Sequence, residues 1–326
     1  MSRYSATIRE HDGFKIVSLM DSGADAEATI VADAGSNLIR FRQQGCEVLS
    51  HPDSLAELKG NGRSKYGTPI LFPPNRVKKG IIKFKGREYK LPLNEPPEYH
   101  LHGELSSRPW EIIATGVSDK DGAFAITRFR FADHPDIMNY FPHSLVFTMT
   151  YKLSDGKMFV EGAIANEGPD EAPFAFGLHP YFNLPFRSHS AISLQVPASV
   201  EWPVSNQAFV IGEPSITALC RELRNGITLN DFPQLGVALV ELDPAGDRTC
   251  KIVVNDEAKR YTIAYRMDES FPYVVLFRPD WSDAFSLEPY TYVTDAFNLD
   301  YAYERTGARG IRSAETISFA TSLWVE

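Results

Sequence analysis

One hairpin between residues 147 and 164 constrains the fold of this chain more than any other stretch. Phe147-Thr-Met-Thr-Tyr-Lys-Leu153 alternates apolar and polar residues strictly, which is the period of a half-buried β-strand. It runs through Ser154-Asp-Gly-Lys157 into Met158-Phe-Val-Glu-Gly-Ala-Ile164. The central Asp155-Gly156 pair suits a type I′ turn, because both central residues of that turn need positive φ. Two long strands joined this tightly require an antiparallel sheet with one face in a core.

The rest of the chain repeats that signal. Asp121-Gly122 leads into Phe124-Ala-Ile-Thr-Arg-Phe-Arg-Phe131, where the apolar parity slips between Ile126 and Phe129. The slip predicts a bulge, or a strand covered on both faces. Lys85-Gly86 separates Ile81–Phe84 from Arg87–Leu91 in the manner of another hairpin. Lys251–Asn255, Tyr261–Tyr265 and Tyr273–Phe277 are β-branched and aromatic, and too short for helices. Helical signal is confined to Ser54–Lys59, one or two turns ended by Gly60. The 22 prolines are scattered, and no repeat or composition break marks a boundary. The expectation is an all-β fold with residues 1–326 in a single large antiparallel two-sheet domain, a size that β-sandwiches reach.

Charge and cysteine content exclude several functions. With 33 basic and 42 acidic residues the formal net charge is −9, and no basic cluster stands out. Nucleic acid and membrane are therefore not expected partners. Cys46, Cys220 and Cys250 are odd in number and far apart, which argues against a disulfide framework and fits a reducing, cytoplasmic location. The first ten residues lack the apolar core of a signal peptide. Gly60-Asn-Gly-Arg-Ser-Lys65 begins like a dinucleotide loop but ends in Lys65 without a βαβ context. His100-Leu-His102 puts two imidazoles on one side of a strand, yet no third ligand lies nearby in sequence. No metal and no cofactor is expected.

Four polar clusters remain in apolar, β-rich surroundings. Pro73-Pro-Asn-Arg-Val77 presents Arg76 after a stiff diproline, as a fork for hydroxyls or a carboxylate, or simply as a surface arginine paired with an acid. Tyr99-His-Leu-His-Gly-Glu104, with Trp110 close by, fits a sugar pocket; it equally fits an ordinary loop histidine. In Gly177-Leu-His-Pro-Tyr-Phe-Asn-Leu-Pro185, Pro180 biases His179 towards extended geometry. That ring is either a proton carrier or a hydrogen-bonded core histidine. Glu288, between Leu287 and Pro289 and near several aromatics, is set for desolvation, which raises a carboxyl pKa towards neutrality. Two histidines, a desolvated glutamate and an arginine suit paired proton transfers on a polyhydroxyl substrate. Exchanging the anomers of an aldose needs that equipment: a base for the C1 hydroxyl and an acid for the ring oxygen.

In this order, Asn75-Arg76, His-Leu-His102-Gly, Gly-Leu-His179-Pro-Tyr-Phe-Asn-Leu and Leu-Glu288-Pro, the chain resembles the aldose 1-epimerases, the galactose mutarotase-like proteins. The resemblance runs from about residue 30 to the C-terminus and implies a β-supersandwich with the sugar in an open cleft across one sheet. It further implies Glu288 as general base and His179 as general acid. His102, Arg76 and Asn75 then bind the sugar, and Asp231, in Leu229-Asn-Asp-Phe232, is the best match to the family's hydroxyl-gripping aspartate. Tyr181 and Asn183 support the His179 ring or form the cleft wall. The chain departs from the family at Glu104, where a second glycine is common, and in Tyr290–Asp295 after the glutamate.

The leading expectation is an aldose 1-epimerase, an isomerase acting on a free monosaccharide as a monomer or homodimer. A hexose 6-phosphate 1-epimerase is the near alternative, with Lys78, Lys79 and Lys83 as rim cations. A non-catalytic carbohydrate-binding or sugar-sensing module is the alternative from another class. A glycosidase fits less well, since it normally needs two carboxylates across the bond.

Overall fold

The computed structural model describes residues 2–118, 120, 122–186, 190–255 and 260–326. The 147–164 hairpin forms as its sequence requires. Strands Leu145–Ser154 and Lys157–Asn166 pair without interruption from Ser154↔Lys157 to Leu145↔Asn166. Asp155 and Gly156 both take positive φ, 49° and 73°. This pair forms the third and fourth strands of a nine-stranded antiparallel sheet. Gly122–Arg130 and Glu111–Ser118 continue it on one side, and Thr316–Val325, Arg260–Met267 and Thr249–Asn255 on the other. Asp121, half of the expected turn dipeptide before Gly122, lies outside the described residues.

The parity slip near Ile126 is not a bulge in its own strand. Gly122–Arg130 pairs continuously with Leu145–Ser154, and Ala123, Ala125, Thr127 and Phe129 all face the core. Thr127 is fully buried because its hydroxyl meets that of Ser36 at 2.7 Å, so a polar side chain occupies an inward position. The irregularity sits in the neighbouring strand, where the register shifts between Ile112 and Ala114. The helical signal at Ser54–Lys59 becomes a single 3₁₀ turn, Leu55–Leu58, with Ser54 and Glu57 forming a capping box.

A seven-stranded sheet packs against the first. Its central strand, Ala284–Tyr290, is buried along its whole length and pairs with Tyr273–Phe277, Gly177–Leu178 and Tyr181–Asn183. Phe182 and Phe285 oppose each other and therefore share a face. Phe182 meets Tyr265 of the nine-stranded sheet edge-on at 5.5 Å, so that face is the inter-sheet core. Phe176 stacks against Phe319 at 4.3 Å across the same gap. A five-stranded sheet built from Tyr4–His11, Phe14–Asp21, Ala26–Val31, Asn37–Gln43 and Cys46–Glu47 adds a further layer. The fold is an all-β supersandwich. Among the described residues no helix is long and apolar enough to cross a membrane.

Candidate functional site

Strand alternation decides what the second face of Ala284–Tyr290 carries. With Phe285 and Leu287 in the core, Ser286, Glu288 and Tyr290 point the other way. Register adds their neighbours: Tyr181 and Phe277 stand opposite Ser286, Val275 opposite Glu288, and Gly177 opposite Tyr290. Of these, Glu288, Tyr181, Phe277 and Val275 line an open cleft of about 970 Å³, with Ser286 and Tyr290 buried beneath it. Gly177 lacks a side chain where a Cβ would come within 2.6 Å of the Tyr290 ring and 2.9 Å of Pro74.

His179 follows Gly177-Leu178 and precedes Pro180, and its ring turns onto this floor. Its Nε2 lies 3.3 Å from Glu288 Oε1 and 3.2 Å from the Tyr181 hydroxyl, and the ring stacks on Tyr181 at 4.4 Å. Its Nδ1 lies 2.9 Å from Ser286 Oγ. The single hydroxyl proton of Ser286 goes to the Pro180 carbonyl at 2.7 Å, so Nδ1–H donates to the serine. In the neutral ring Nε2 therefore carries the lone pair, aimed at the Glu288 carboxyl.

Glu288 and His179 are 2 % and 3 % exposed, and burial acts on them in opposite senses. It pushes the Glu288 carboxyl up to about 8, against the Tyr290 hydroxyl that donates to Oε2 and the charge of Arg76. It pushes the His179 imidazole down to about 3. Near neutral pH the pair holds one proton and no net charge. That proton can sit on the carboxyl or, crossing one 3.3 Å contact, on the imidazole.

His102 completes the centre, with its ring 5.3 Å from that of His179. Its Nδ1 accepts the Asn75 N–H at 3.2 Å, so its Nε2 bears the hydrogen and offers a donor to the cleft. Burial, followed by the nearby His179, holds this ring well below the usual histidine range. Asn75 and His102 both take left-handed backbone, φ 58° and 62°, a costly conformation for non-glycine residues that clusters at functional sites. Gly103 follows at φ 70°, where a Cβ would lie 1.8 Å from the Phe72 carbonyl oxygen. Arg76 also lines the cleft, its guanidinium held by both oxygens of Glu95 at 2.6 and 2.7 Å.

A model of the family described as "Aldose 1-epimerase" matches residues 18–324. The chain belongs to the aldose 1-epimerase family. Similarity to curated relatives is partial. A protein named YihR from Escherichia coli (strain K12) is 32% identical over 205 residues, 61% of this chain and 60% of that protein. A galactose mutarotase from Homo sapiens is 25% identical over 186 residues, 55% and 52% of the two chains. The chain thus spans about half to three fifths of the length of these relatives. Among solved structures, a galactose mutarotase-like protein from Clostridium acetobutylicum superposes with a TM-score of 0.88 at 24% identity, covering 99% of both chains. Galactose 1-epimerase from Lactobacillus acidophilus gives 0.78 at 15% identity, covering 100% and 99%. Both share this fold.

Within this aldose 1-epimerase family member, the cleft brings together Glu288, His179, His102, Arg76, Asn75 and Tyr181. It does not bring in every residue named from sequence. Asp231 is exposed in the turn Leu229–Asp231 and does not line the cleft; Gln234, three residues on, does. Asn183 is exposed behind the wall, its amide 3.3 Å from the Glu47 carbonyl. Trp110 is a core residue donating to the Leu105 carbonyl, and the cleft's tryptophan is Trp281. Glu104 turns away to Arg108 at 3.4 Å. Lys78, Lys79 and Lys83 are exposed and none lines the cleft. Sequence reading missed Ser286 and Tyr290, although their i±2 spacing from Glu288 on a strand was available to find them.

Proposed function

We propose that this chain interconverts the α and β anomers of an aldose by general acid–base ring opening and closure. The observation that carries the reading is the buried Glu288–His179 pair at the cleft floor, carboxyl oxygen and imidazole nitrogen 3.3 Å apart. With the proton on His179, Glu288 is a carboxylate and takes the proton of the C1 hydroxyl. His179 gives its Nε2 proton to the ring oxygen as the C1–O bond to that oxygen breaks and the C1 carbonyl forms. The open chain then faces a protonated carboxyl and a neutral imidazole. Rotation about C1–C2 and the reverse transfers close the ring in the other configuration, and the pair ends with the proton count it began with.

Supporting groups fit the same scheme. His102 Nε2–H donates towards the sugar oxygen beside His179, and Trp281, exposed within the cleft, offers an apolar face for the sugar ring. A carbohydrate-binding module needs no such pair, since burying an ionisable acid against an imidazole costs stability and adds nothing to binding hydroxyls. The test is polarimetry of freshly dissolved α-glucose and α-galactose. The protein accelerates equilibration, and Glu288→Gln and His179→Asn each abolish the acceleration. Saturable sugar binding without any acceleration across a panel of aldoses would overturn the reading.

A further inference from the structure

The segment Gly60–Lys65, which fails as a nucleotide loop, supplies a wall of the cleft. Arg63, Ser64 and Lys65 all line it. Backbone bonds hold the segment there: Lys65 N–H to the Gly62 carbonyl at 3.1 Å, Gly67 N–H to that of Ser50 at 2.8 Å, and Tyr181 N–H to that of Gly67 at 2.8 Å. The two basic side chains therefore stand beside the strand that carries Tyr181. Lys65 Nζ lies 5.0 Å from the centre of the Trp281 ring, and Trp281 stands edge-on to Tyr181 at 6.3 Å. Arg63 is close enough to His102 for its charge to oppose protonation of that ring.

The charges lining the cleft do not cancel. The cations are Arg63, Lys65 and Arg76, and the carboxyls are Glu95 and Glu288. Glu95 is engaged by Arg76 through two hydrogen bonds, and Glu288 is neutral together with His179. Among the described residues neither Arg63 nor Lys65 makes an ion pair. Two partly buried positive charges are left in a chain whose formal net charge is −9. A neutral sugar leaves them without a counter-charge.

We infer that the substrate is an aldose carrying an anionic group at carbon 6, a carboxylate, sulfonate or phosphate, held by Arg63 and Lys65. The inference rests on the anomer-exchange reading and sharpens it. In that reading the ring oxygen meets His179 with His102 beside it. Carbon 5 is bonded to that oxygen, so its substituent stays within a few bonds of the two imidazoles, in the cleft that Arg63 and Lys65 also line and where the charge of Arg63 reaches His102. A guanidinium fork and a mobile ammonium together match the oxygens of such a group. Arg76, already held by Glu95, is left to orient hydroxyls.

The experiment compares kcat/KM for anomer exchange of glucose with that of its 6-carboxylate, 6-sulfonate and 6-phosphate analogues. At least one anionic sugar exceeds glucose by about tenfold or more, an advantage that shrinks with added salt. The double variant Arg63→Gln/Lys65→Gln, its fold checked by circular dichroism, brings the ratio of anionic to neutral sugar close to one. The three analogues distinguish the nature of the anion. A preference for glucose over all three, or a ratio unchanged in the double variant, overturns the assignment. Calorimetric binding of the same sugars keeps the two proposals separable. An anionic sugar that binds through Arg63 and Lys65 but is not exchanged defeats the exchange reading alone, and exchange of neutral sugars only defeats the anion assignment alone.

Discussion

The two histidines of the cleft are set in opposite tautomers by single neighbours. Ser286 Oγ fixes the hydrogen of His179 on Nδ1, and the Asn75 N–H fixes that of His102 on Nε2. Ser286→Ala removes the acceptor that orients His179 and stabilises it when it takes a second proton. Its kcat for anomer exchange falls about 10–100-fold with little change in KM, the size seen when an orienting partner of a functional histidine is lost. Polarimetric steady-state kinetics measure that split. The pH profile reports the carboxyl: activity needs one proton on the Glu288–His179 pair and declines as pH rises through about 8. The Tyr290 hydroxyl stabilises the ionised carboxylate, so Tyr290→Phe raises the Glu288 pKa further and moves the alkaline limb of kcat/KM to higher pH. A limb that stays in place or moves down contradicts this role. Glu288 and His179 were legible in sequence because each sits in a short apolar motif. Ser286 and Tyr290 share the face of Glu288 by i±2 spacing, but their partners, His179 Nδ1 for one and Glu288 Oε2 for the other, are fixed only by the folded geometry.

At the scale of elements, the cleft floor follows from one strand packed on both faces. The hairpins were readable because turn chemistry is local: Asp155-Gly156 and Lys85-Gly86 both take the positive φ their turns demand. The cleft was harder to read because its walls come from segments far apart in sequence, joined by pairing such as Tyr181↔Ser286 and Val275↔Glu288. Nothing local to Trp110 or Trp281 says which one faces the sugar, and nothing near Asp231 says that Gln234 is the residue at the rim. The junction where Asn75 meets His102 and Gly103 is the most constrained joint of the site. Gly103→Ala puts a methyl group 1.8 Å from the Phe72 carbonyl oxygen in a left-handed backbone, and that neighbour is main chain and cannot rotate away. It destabilises the protein by about 3 kcal/mol in urea unfolding and, by shifting His102, lowers kcat/KM in whatever fraction remains folded.

For the whole molecule, the buried acid proposed as the base works against the fold. Glu288 ionises near 4.5 in an unfolded chain and near 8 in the folded one, so the folded state holds its proton more tightly. The stability this represents is fully present below about 4.5, drains away as pH climbs through about 8, and is then constant. At its full extent the loss is on the order of a few kcal/mol, large beside the net stability of a folded domain. Glu288→Gln keeps a similar shape and cannot ionise, so its advantage in melting temperature over the wild type is smallest near pH 4 and grows to a plateau above pH 8. Thermal unfolding of both proteins across that range checks the prediction. An advantage that shrinks as pH rises would mean that the folded protein stabilises the Glu288 carboxylate. The shared proton would then have no reason to remain with the pair at neutral pH. The same variant loses anomer exchange, so stability is gained at the position where activity is lost, as expected of a group kept for reaction against the preference of the core around it.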